Sequence, residues 1–486
     1  MSKATRYCGI YDFELLPYAL GDALTWNVQT ALRCLAAGRR VVDAYICIDP
    51  NHPSSIYQRG LVTSENCALF FNELFGAFGT HPLLGNIHLY ASRDEMLTRL
   101  REVAAGDAVN GEVLEDYESV LGQRDNADAL NSYFIKYIYS HARLNAYHED
   151  HGRIPLLVES RGCAPDVEGL LAGPLAGKRV VVIHPRLRRL DNGLAGDHTY
   201  SRDSDFLEWF EFVRLAETSH PQVQFVVMGR LQEKPLELLR RPNVTSLRAL
   251  GLGLGHELTL MLRSDLFIGT SSGFAAMANF SEVPYFITHM NPESCNAYAI
   301  PNGAERLPFA APNQVLVYER ESRALLQSLL ERGLALPPRN AAPALQRKTV
   351  VDVRAFERDR AALLVPHAST SRFFIDDTYA DQETAFLVWP RVQAGFEAAT
   401  QGQDGQARAT AQRVADNFPR LPGRFAELAA LSKGAVPPPQ RLAKDRLKRR
   451  LVRLMDGNIL PDSLRGTAIH SIGRRIKDMV LGYRRR

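Results

Sequence analysis

The feature that most constrains this 486-residue chain is an alternation of strand-like and helix-like runs that appears twice. From Tyr7 to about Ser160, "RYCGIYDFE" leads into an amphipathic stretch through Leu32. "RRVVDAYICID", a helical "CALFFNELF", the strand-like "NIHLYAS" and the helical "RDEMLTRLREVA" follow. A second series opens at "GKRVVVIHPRL" and runs through "DFLEWFEFVRLAE", "VQFVVMG", "ELTLMLRS", "DLFIGTS", "GFAAMANF" and "VPYFITH", helix and strand in turn. Apolar runs of strand length spaced by helical periods predict parallel sheets flanked by helices. At this length one core does not serve both series, so an α/β chain of two doubly wound domains facing across a cleft is expected. Ligands of such sheets bind beyond the carboxyl ends of the strands. The expected boundaries are 1–165 and 178–335, with a seam at the Gly/Pro-rich "GCAPDVEGLLAGPLAG"; a mostly helical appendage over 345–436 and a tail over 437–486 follow.

Composition narrows the class. Hydrophobic residues make up 45% and charged residues 23% of the chain, ordinary values for a soluble protein, and no apolar run approaches the roughly 18 residues of a membrane span. The N-terminal "MSKATRYCGIYDFELLPYAL" has acidic residues within its apolar part and no small-residue cleavage site, so export is not expected. Cys8, Cys34, Cys47, Cys67, Cys163 and Cys295 lie far apart without a CxxC pair, which predicts neither a disulfide framework nor a zinc site. The net charge of +4 conceals an asymmetry: residues 441–486 hold 14 Lys/Arg against 4 Asp/Glu, or +10, leaving the rest at −6.

The chemistry-bearing residues fall at strand ends. In "SDLFIGTSSGFAAMANF" a buried strand passes through Thr270, Ser271, Ser272 and Gly273 into a helix, leaving a helix N-terminus open at a strand's carboxyl end. Unpaired N–H groups and the helix dipole favour an anion there; the ordinary alternative is a Ser/Thr N-cap. "VVVIHPRLRRLDNG" ends a strand with His184 and Arg186, and Arg202 follows in "GDHTYSRDSDF"; guanidinium forks suit phosphates, though basic surface loops are common. Asp203-Ser-Asp205 has the spacing of a divalent-metal site, but Asp205 to Glu208 reads better as a capping box opening the next helix. "LGLGLGHEL" lacks the spacing of a dinucleotide fingerprint and reads as a flexible loop; His256 beyond it is a ribose or base contact or a surface histidine. Gly21-Asp22 in "ELLPYALGDALTW" stands between strand and helix, where Asp22 is either a helix cap or a base for an attacking hydroxyl.

On these motifs, "VTSLRALGLGLGHELTLMLRSDLFIGTSSGFAAMANFSEVPYF" resembles the donor half of GT-B glycosyltransferases, the heptosyltransferase type most, whose first domain carries a Gly-Asp turn matching Gly21-Asp22. "IHPRLRRLD" is similar to the His-x-Arg phosphate motif of the fucosyltransferase-like enzymes. The match covers residues 178–320 well and 7–35 weakly, and Thr270-Ser271-Ser272 stands where such loops usually have Asp before Ser-Gly. The resemblance implies two Rossmann-like domains and a metal-independent, inverting transfer from a nucleotide-sugar donor to a glycan or lipid-linked acceptor in surface polysaccharide synthesis, without a cofactor. Asp22 would be the base, with His184, Arg186, Arg202, His256, Thr270, Ser271, Ser272 and Gly273 on the donor. A sugar-nucleotide epimerase and a non-catalytic nucleotide-binding protein are the alternatives.

The tail adds a location. Ala443, Leu447, Leu451 and Leu454, and later Ile472, Ile476, Met479, Val480 and Tyr483, form apolar stripes flanked by Arg and Lys if helical. They predict a cytoplasmic protein held peripherally on the inner, anionic membrane face. A solvated tail or one packed on the body is the alternative, and nucleic acid is not the expected partner.

Overall fold

The computed structural model describes residues 6–187, 203–339, 350–355, 377–424 and 431. The chain divides into two compact units, Met1–Arg186 with Ala216–Leu231 and Pro242–Arg372, and Leu187–Leu215 with Gln232–Arg241 and Phe373–Arg486. Arg202 and the tail stripes lie outside the described residues.

Among the described residues the first unit holds two sheets, each with all its strand pairs parallel. One runs β1 (Arg6–Asp12), β2 (Val41–Cys47), β3 (Leu84–Tyr90), β10 (Val350–Ala355). The other is six-stranded: β6 (Val244–Thr245), β5 (Val223–Val227), β4 (Arg179–His184), β7 (Leu266–Thr270), β8 (Tyr285–Thr288) and β9 (Gln314–Leu316) in spatial order. Strands covered on both faces bury nearly every side chain, which is why β4 and β7 read as continuous apolar runs without alternation. Within the six-stranded sheet the chain first winds outward through β4, β5 and β6, then returns to place β7 on the other side of β4. The order therefore reverses between β4 and β7, at the register pair His184 and Gly269.

The mixed α/β architecture with parallel sheets agrees with the sequence reading, and β10 departs from it. Residues 345–436 read as mostly helical, yet Val350–Ala355 pairs with β3. Its β-branched Val350, Val351 and Val353 suit a pleated edge, but a six-residue run next to a Pro-rich stretch carries little periodicity.

The two sheets share one apolar cluster, which includes Ile46 from the first and Phe267 from the second. The helix Leu20–Ala36 is central to it: every residue from Ala23 to Leu32 is buried, and Trp26 donates to the carbonyl of Ile10 at 3.2 Å while its ring meets Tyr11 and Phe78 edge-on. A helix covered on all sides serves as a wall inside the fold.

In the second unit, helices Asp377–Thr400 and Asp404–Asn417 form a hairpin whose turn places Gly402 at φ 77°, a left-handed conformation that glycine adopts without strain. Asp205 Oδ1 accepts the N–H of Leu207 at 3.1 Å, as the helix-opening reading expects. Glu208, read as the other half of a capping box, is engaged by two guanidiniums: its Oε1 lies 2.9 Å from Arg391 Nη2 and 3.0 Å from Arg413 Nη1. Phe418 packs on Phe206 and Phe210, with ring centroids 6.0 and 4.7 Å apart.

Candidate functional site

The carboxyl ends of β4 and β7 carry most of the residues singled out in the sequence. Pro185 and Arg186 extend β4 past its last pair, and Thr270 to Gly273 leave the end of β7 into the helix Gly273–Asn279. Thr270 is fully buried, and Ser271 is pinned by its N–H on the Thr288 carbonyl at 3.1 Å and by its Oγ 3.2 Å from Ser294 Oγ. Ser272 sits at the N-cap position in extended backbone, yet its hydroxyl makes no cap bond, and its buried Oγ has no hydrogen-bond partner. The ordinary N-cap reading of this serine is therefore not what the structure contains.

Directly against this loop stands the start of the helix Leu20–Ala36. A Cβ on Gly273 would lie 3.0 Å from the Gly21 nitrogen and 3.0 Å from Leu20 Cβ; a Cβ on Gly21 would lie 3.3 Å from Gly273 Cα. Only two glycines allow the backbones to meet this closely. The Leu20–Ala36 helix also begins without a side-chain cap, since Ala19 occupies its N-cap. Two helix starts, neither capped by a side chain, thus lie side by side, and the dipole of a helix start favours negative charge.

Asp22, in the first turn of the Leu20–Ala36 helix, is half-buried, and Tyr139 donates its hydroxyl proton to Asp22 Oδ1 at 2.7 Å. Burial pushes the Asp22 carboxyl up to about 6, with the Tyr139 hydrogen bond opposing part of that rise. A carboxyl with that affinity changes protonation close to neutral pH, as a general base requires. His184 is buried with Nδ1 3.1 Å from the Met228 carbonyl, so that nitrogen carries the proton, and its ring lies 4.7 Å from the Phe274 ring, bracing the start of the helix Gly273–Asn279.

His256 takes a different place. Its Nε2 lies 2.9 Å from Asp166 Oδ2 and its Nδ1 accepts the Gly253 N–H at 3.2 Å, at the start of the helix Leu254–Arg263. It lines a pocket that contains none of Asp22, His184, Arg186 or Thr270 to Gly273. Sequence reasoning overlooked Tyr139, Ser294 and the buried pair Thr288 and Glu321, whose Oγ1 and Oε1 are 2.9 Å apart at the end of β8. None carries a motif, and Tyr139 is 117 positions from Asp22, so nothing local links them. Among the described residues no group of three or more His, Cys, Asp or Glu side chains is arranged to hold a metal ion, and no helix is long and apolar enough to cross a membrane.

No protein-family model matches the chain, and no curated protein matches it by sequence. Among solved structures, an E. coli ADP-heptose lps heptosyltransferase II is similar at 12% identity and a TM-score of 0.40, over 67% of this chain and 98% of that one. A glycosyl transferase family 9 protein from Veillonella parvula is similar at 12% identity and a TM-score of 0.33, over 69% and 99%. A putative UDP-N-acetylglucosamine 2-epimerase from Listeria monocytogenes is similar at 11% identity and a TM-score of 0.27, over 69% and 89%. These are likenesses only, and the chemistry of the site resides in this chain's own residues.

Proposed function

We propose that the chain is a GT-B glycosyltransferase that moves a sugar from a nucleotide-sugar donor to a glycan or lipid-linked acceptor. The observation that carries this reading is the coincidence of three things at one strand-order reversal: the β4 and β7 ends, the uncapped Gly273–Asn279 helix start, and the Gly21-Asp22 turn from the other sheet. Open parallel sheets bind ligands at such a reversal. A diphosphate seated there would meet backbone N–H groups, the unpartnered Ser272 hydroxyl and the Arg186 side chain two residues past His184, which together would stabilise charge developing on a departing nucleotide. The acceptor hydroxyl would approach from the side of Asp22, lose its proton to that carboxylate and attack the anomeric carbon opposite the leaving group, inverting it.

Transfer by this route needs neither a metal nor a cofactor. The basic tail would hold the enzyme at the inner, anionic membrane face, where a lipid-linked acceptor for surface polysaccharide would lie. An epimerase reading shares the donor but uses no acceptor. Incubation with a panel of sugar nucleotides, following nucleotide release with and without lipid-linked glycan, separates the two. Release that depends on acceptor and falls by about 10²-fold or more in Asp22→Asn, with nucleotide binding retained, supports transfer. Release that proceeds equally without acceptor refutes it.

A further inference from the structure

Among the described residues five large apolar side chains are exposed, and three of them, Tyr57, Ile135 and Tyr139, lie along one helix, Ala127–Tyr137. Asn131 and Ile135 are one turn apart on its outer face, both exposed, while Leu130, Tyr133 and Tyr137 are buried beneath them. Tyr139 follows one turn beyond Ile135. Its N–H returns to the Phe134 carbonyl at 3.2 Å and its ring lies 4.9 Å from the Phe134 ring, which keeps it against the helix end. Tyr57 flanks the other end, with Oη 2.8 Å from Asn131 Oδ1 and 3.1 Å from the Ala127 carbonyl oxygen. Single exposed apolar residues need no explanation, but residues aligned in this way mark a surface that something covers.

One end of this stripe is the candidate reaction centre. Tyr139 donates its hydroxyl proton to Asp22 Oδ1 at 2.7 Å, so the exposed ring that closes the stripe also holds the carboxylate proposed as the base. At the helical rise of 1.5 Å per residue, the stripe runs about 12 Å from Asn131 to Tyr139. A guest lying along it reaches Asp22 with one end.

The chemistry of the stripe selects the guest. Tyr57, Asn131, Ile135 and Tyr139 carry no charge, and the charges beside them are taken up within the protein, Lys136 by Asp116 and Arg59 by Asp125. Two tyrosine rings and an isoleucine offer apolar faces, and the Asn131 amide and the tyrosine hydroxyls offer hydrogen bonds at their rim. A pyranose matches both, with an apolar C–H face and hydroxyls at its edge. An alkyl chain would cover the Asn131 amide without pairing it, and a phosphate would find no cation among these four residues.

On the transferase reading above, we propose that this stripe is the acceptor subsite and that it takes an uncharged saccharide. The sugar stacks on Tyr57, Ile135 and Tyr139, with the hydroxyl to be glycosylated beside Asp22. The acceptor is thereby recognised through its neutral sugar and not through a lipid chain or a phosphate.

The test uses the full chain and octyl glycosides of glucose, galactose, mannose and N-acetylglucosamine below their micellar concentrations. Saturation-transfer NMR reports which end of each probe touches the protein. Ring protons of at least one probe are expected to take up saturation, and its octyl chain is not. Ile135→Ser and Tyr57→Ala, both at exposed positions that tolerate change, each lower the affinity by about 3–10-fold, the scale of one stacking contact. Leu250→Ser, at an exposed leucine outside the stripe, leaves the affinity as in the parent. Saturation carried by the octyl chain alone, the same affinity in all of these variants, or no saturation of any probe overturns the proposal. Nucleotide titration of the same chain separates the two readings. A chain that binds glycosides at the stripe but no nucleotide refutes the nucleotide-sugar donor, and one that binds nucleotide but fails at the stripe refutes the acceptor subsite alone.

Discussion

The carboxyl edges of the two sheets are built from opposite chemistry. At the edge of the first sheet three buried carboxylates, Asp12, Glu14 and Asp49, converge on buried Arg93: Nε lies 2.6 Å from Asp12 Oδ2, and Nη1 lies 2.9 Å from Glu14 Oε2 and 3.4 Å from Asp49 Oδ2. Tyr117 adds a hydrogen bond to Asp12 Oδ2 at 2.6 Å. At the edge of the second sheet, β7 ends in the uncharged Thr270, Ser271 and Ser272, and the Ser272 hydroxyl is left without a partner. An edge whose carboxylates gather on one buried guanidinium, with Arg124 reaching Glu14 Oε1 at 3.1 Å and His52 at 3.5 Å, is built from the protein's own ion pairs. An edge with two helix starts that no side chain caps and a spare hydroxyl is where the proposed donor phosphate would sit.

The contrast breaks most visibly at Arg93. Arg93→Met leaves three carboxylates buried together without their cation, a loss of about 3–5 kcal/mol of unfolding free energy by denaturant titration. Arg186→Ala, at the other edge, is expected to weaken nucleotide binding and to lower the unfolding free energy by clearly less than Arg93→Met does. Equal stability losses in both variants would erase the distinction between the edges.

Acid separates burial from charge in the same unit. His141 is 1% exposed, packs its ring near Phe280 and Tyr298, and burial lowers its proton affinity from the ordinary value to about 4. The folded protein keeps this histidine neutral while the unfolded chain protonates near 6.5, so stability is complete above about pH 6.5 and declines as pH falls toward 4. The loss approaches about 3 kcal/mol at the bottom of that window. Burial also lowers His81 to about 3, so His141→Phe should remove only part of the slope between pH 6.5 and 4, and a slope left unchanged would show that His141 does not contribute.

A smaller effect sharpens the reading of the second edge. Gly273→Ala sets a Cβ 3.0 Å from the Gly21 nitrogen, an overpacking that costs about 1–3 kcal/mol. Because it separates the two helix starts, nucleotide affinity should fall with stability, whereas Gly162→Ala, with open space around it, should change neither. Nucleotide titration of both variants checks this.

The smallest expected effect is at Tyr139. Its hydrogen bond lowers the Asp22 proton affinity, so Tyr139→Phe moves the acid limb of turnover, centred on about 6 in the parent, toward higher pH. Turnover near neutral pH should fall by about 2–10-fold, the worth of one hydrogen bond. A limb that stays in place would mean that Tyr139 does not hold Asp22.

The legible parts of the chain were those in which chemistry is local. Continuous apolar runs such as "VVVIH" and "DLFIG" identified buried parallel strands, and the Gly269 to Gly273 run located the break between strand and helix. Long-range pairings escaped, because neither partner is marked in its own neighbourhood. Val350–Ala355 returning to β3, Arg93 gathering Asp12, Glu14 and Asp49, and Tyr139 reaching Asp22 are of this kind. Glycines were ambiguous for a related reason. Gly273 and Gly255 both precede or open a helix, and only three-dimensional packing shows that one faces Gly21 and the other Cys163.

The most direct test of nucleotide binding at the second edge is amide hydrogen exchange on the full chain with and without nucleoside diphosphates and their sugar conjugates. Slowed exchange is expected at residues 271–275 and 184–187, with the Gly21-Asp22 turn responding when the sugar is present. Protection confined to residues 160–166 and 253–257, around the pocket that His256 lines, or no protection at the β4 and β7 ends by any nucleotide of the panel, would contradict it.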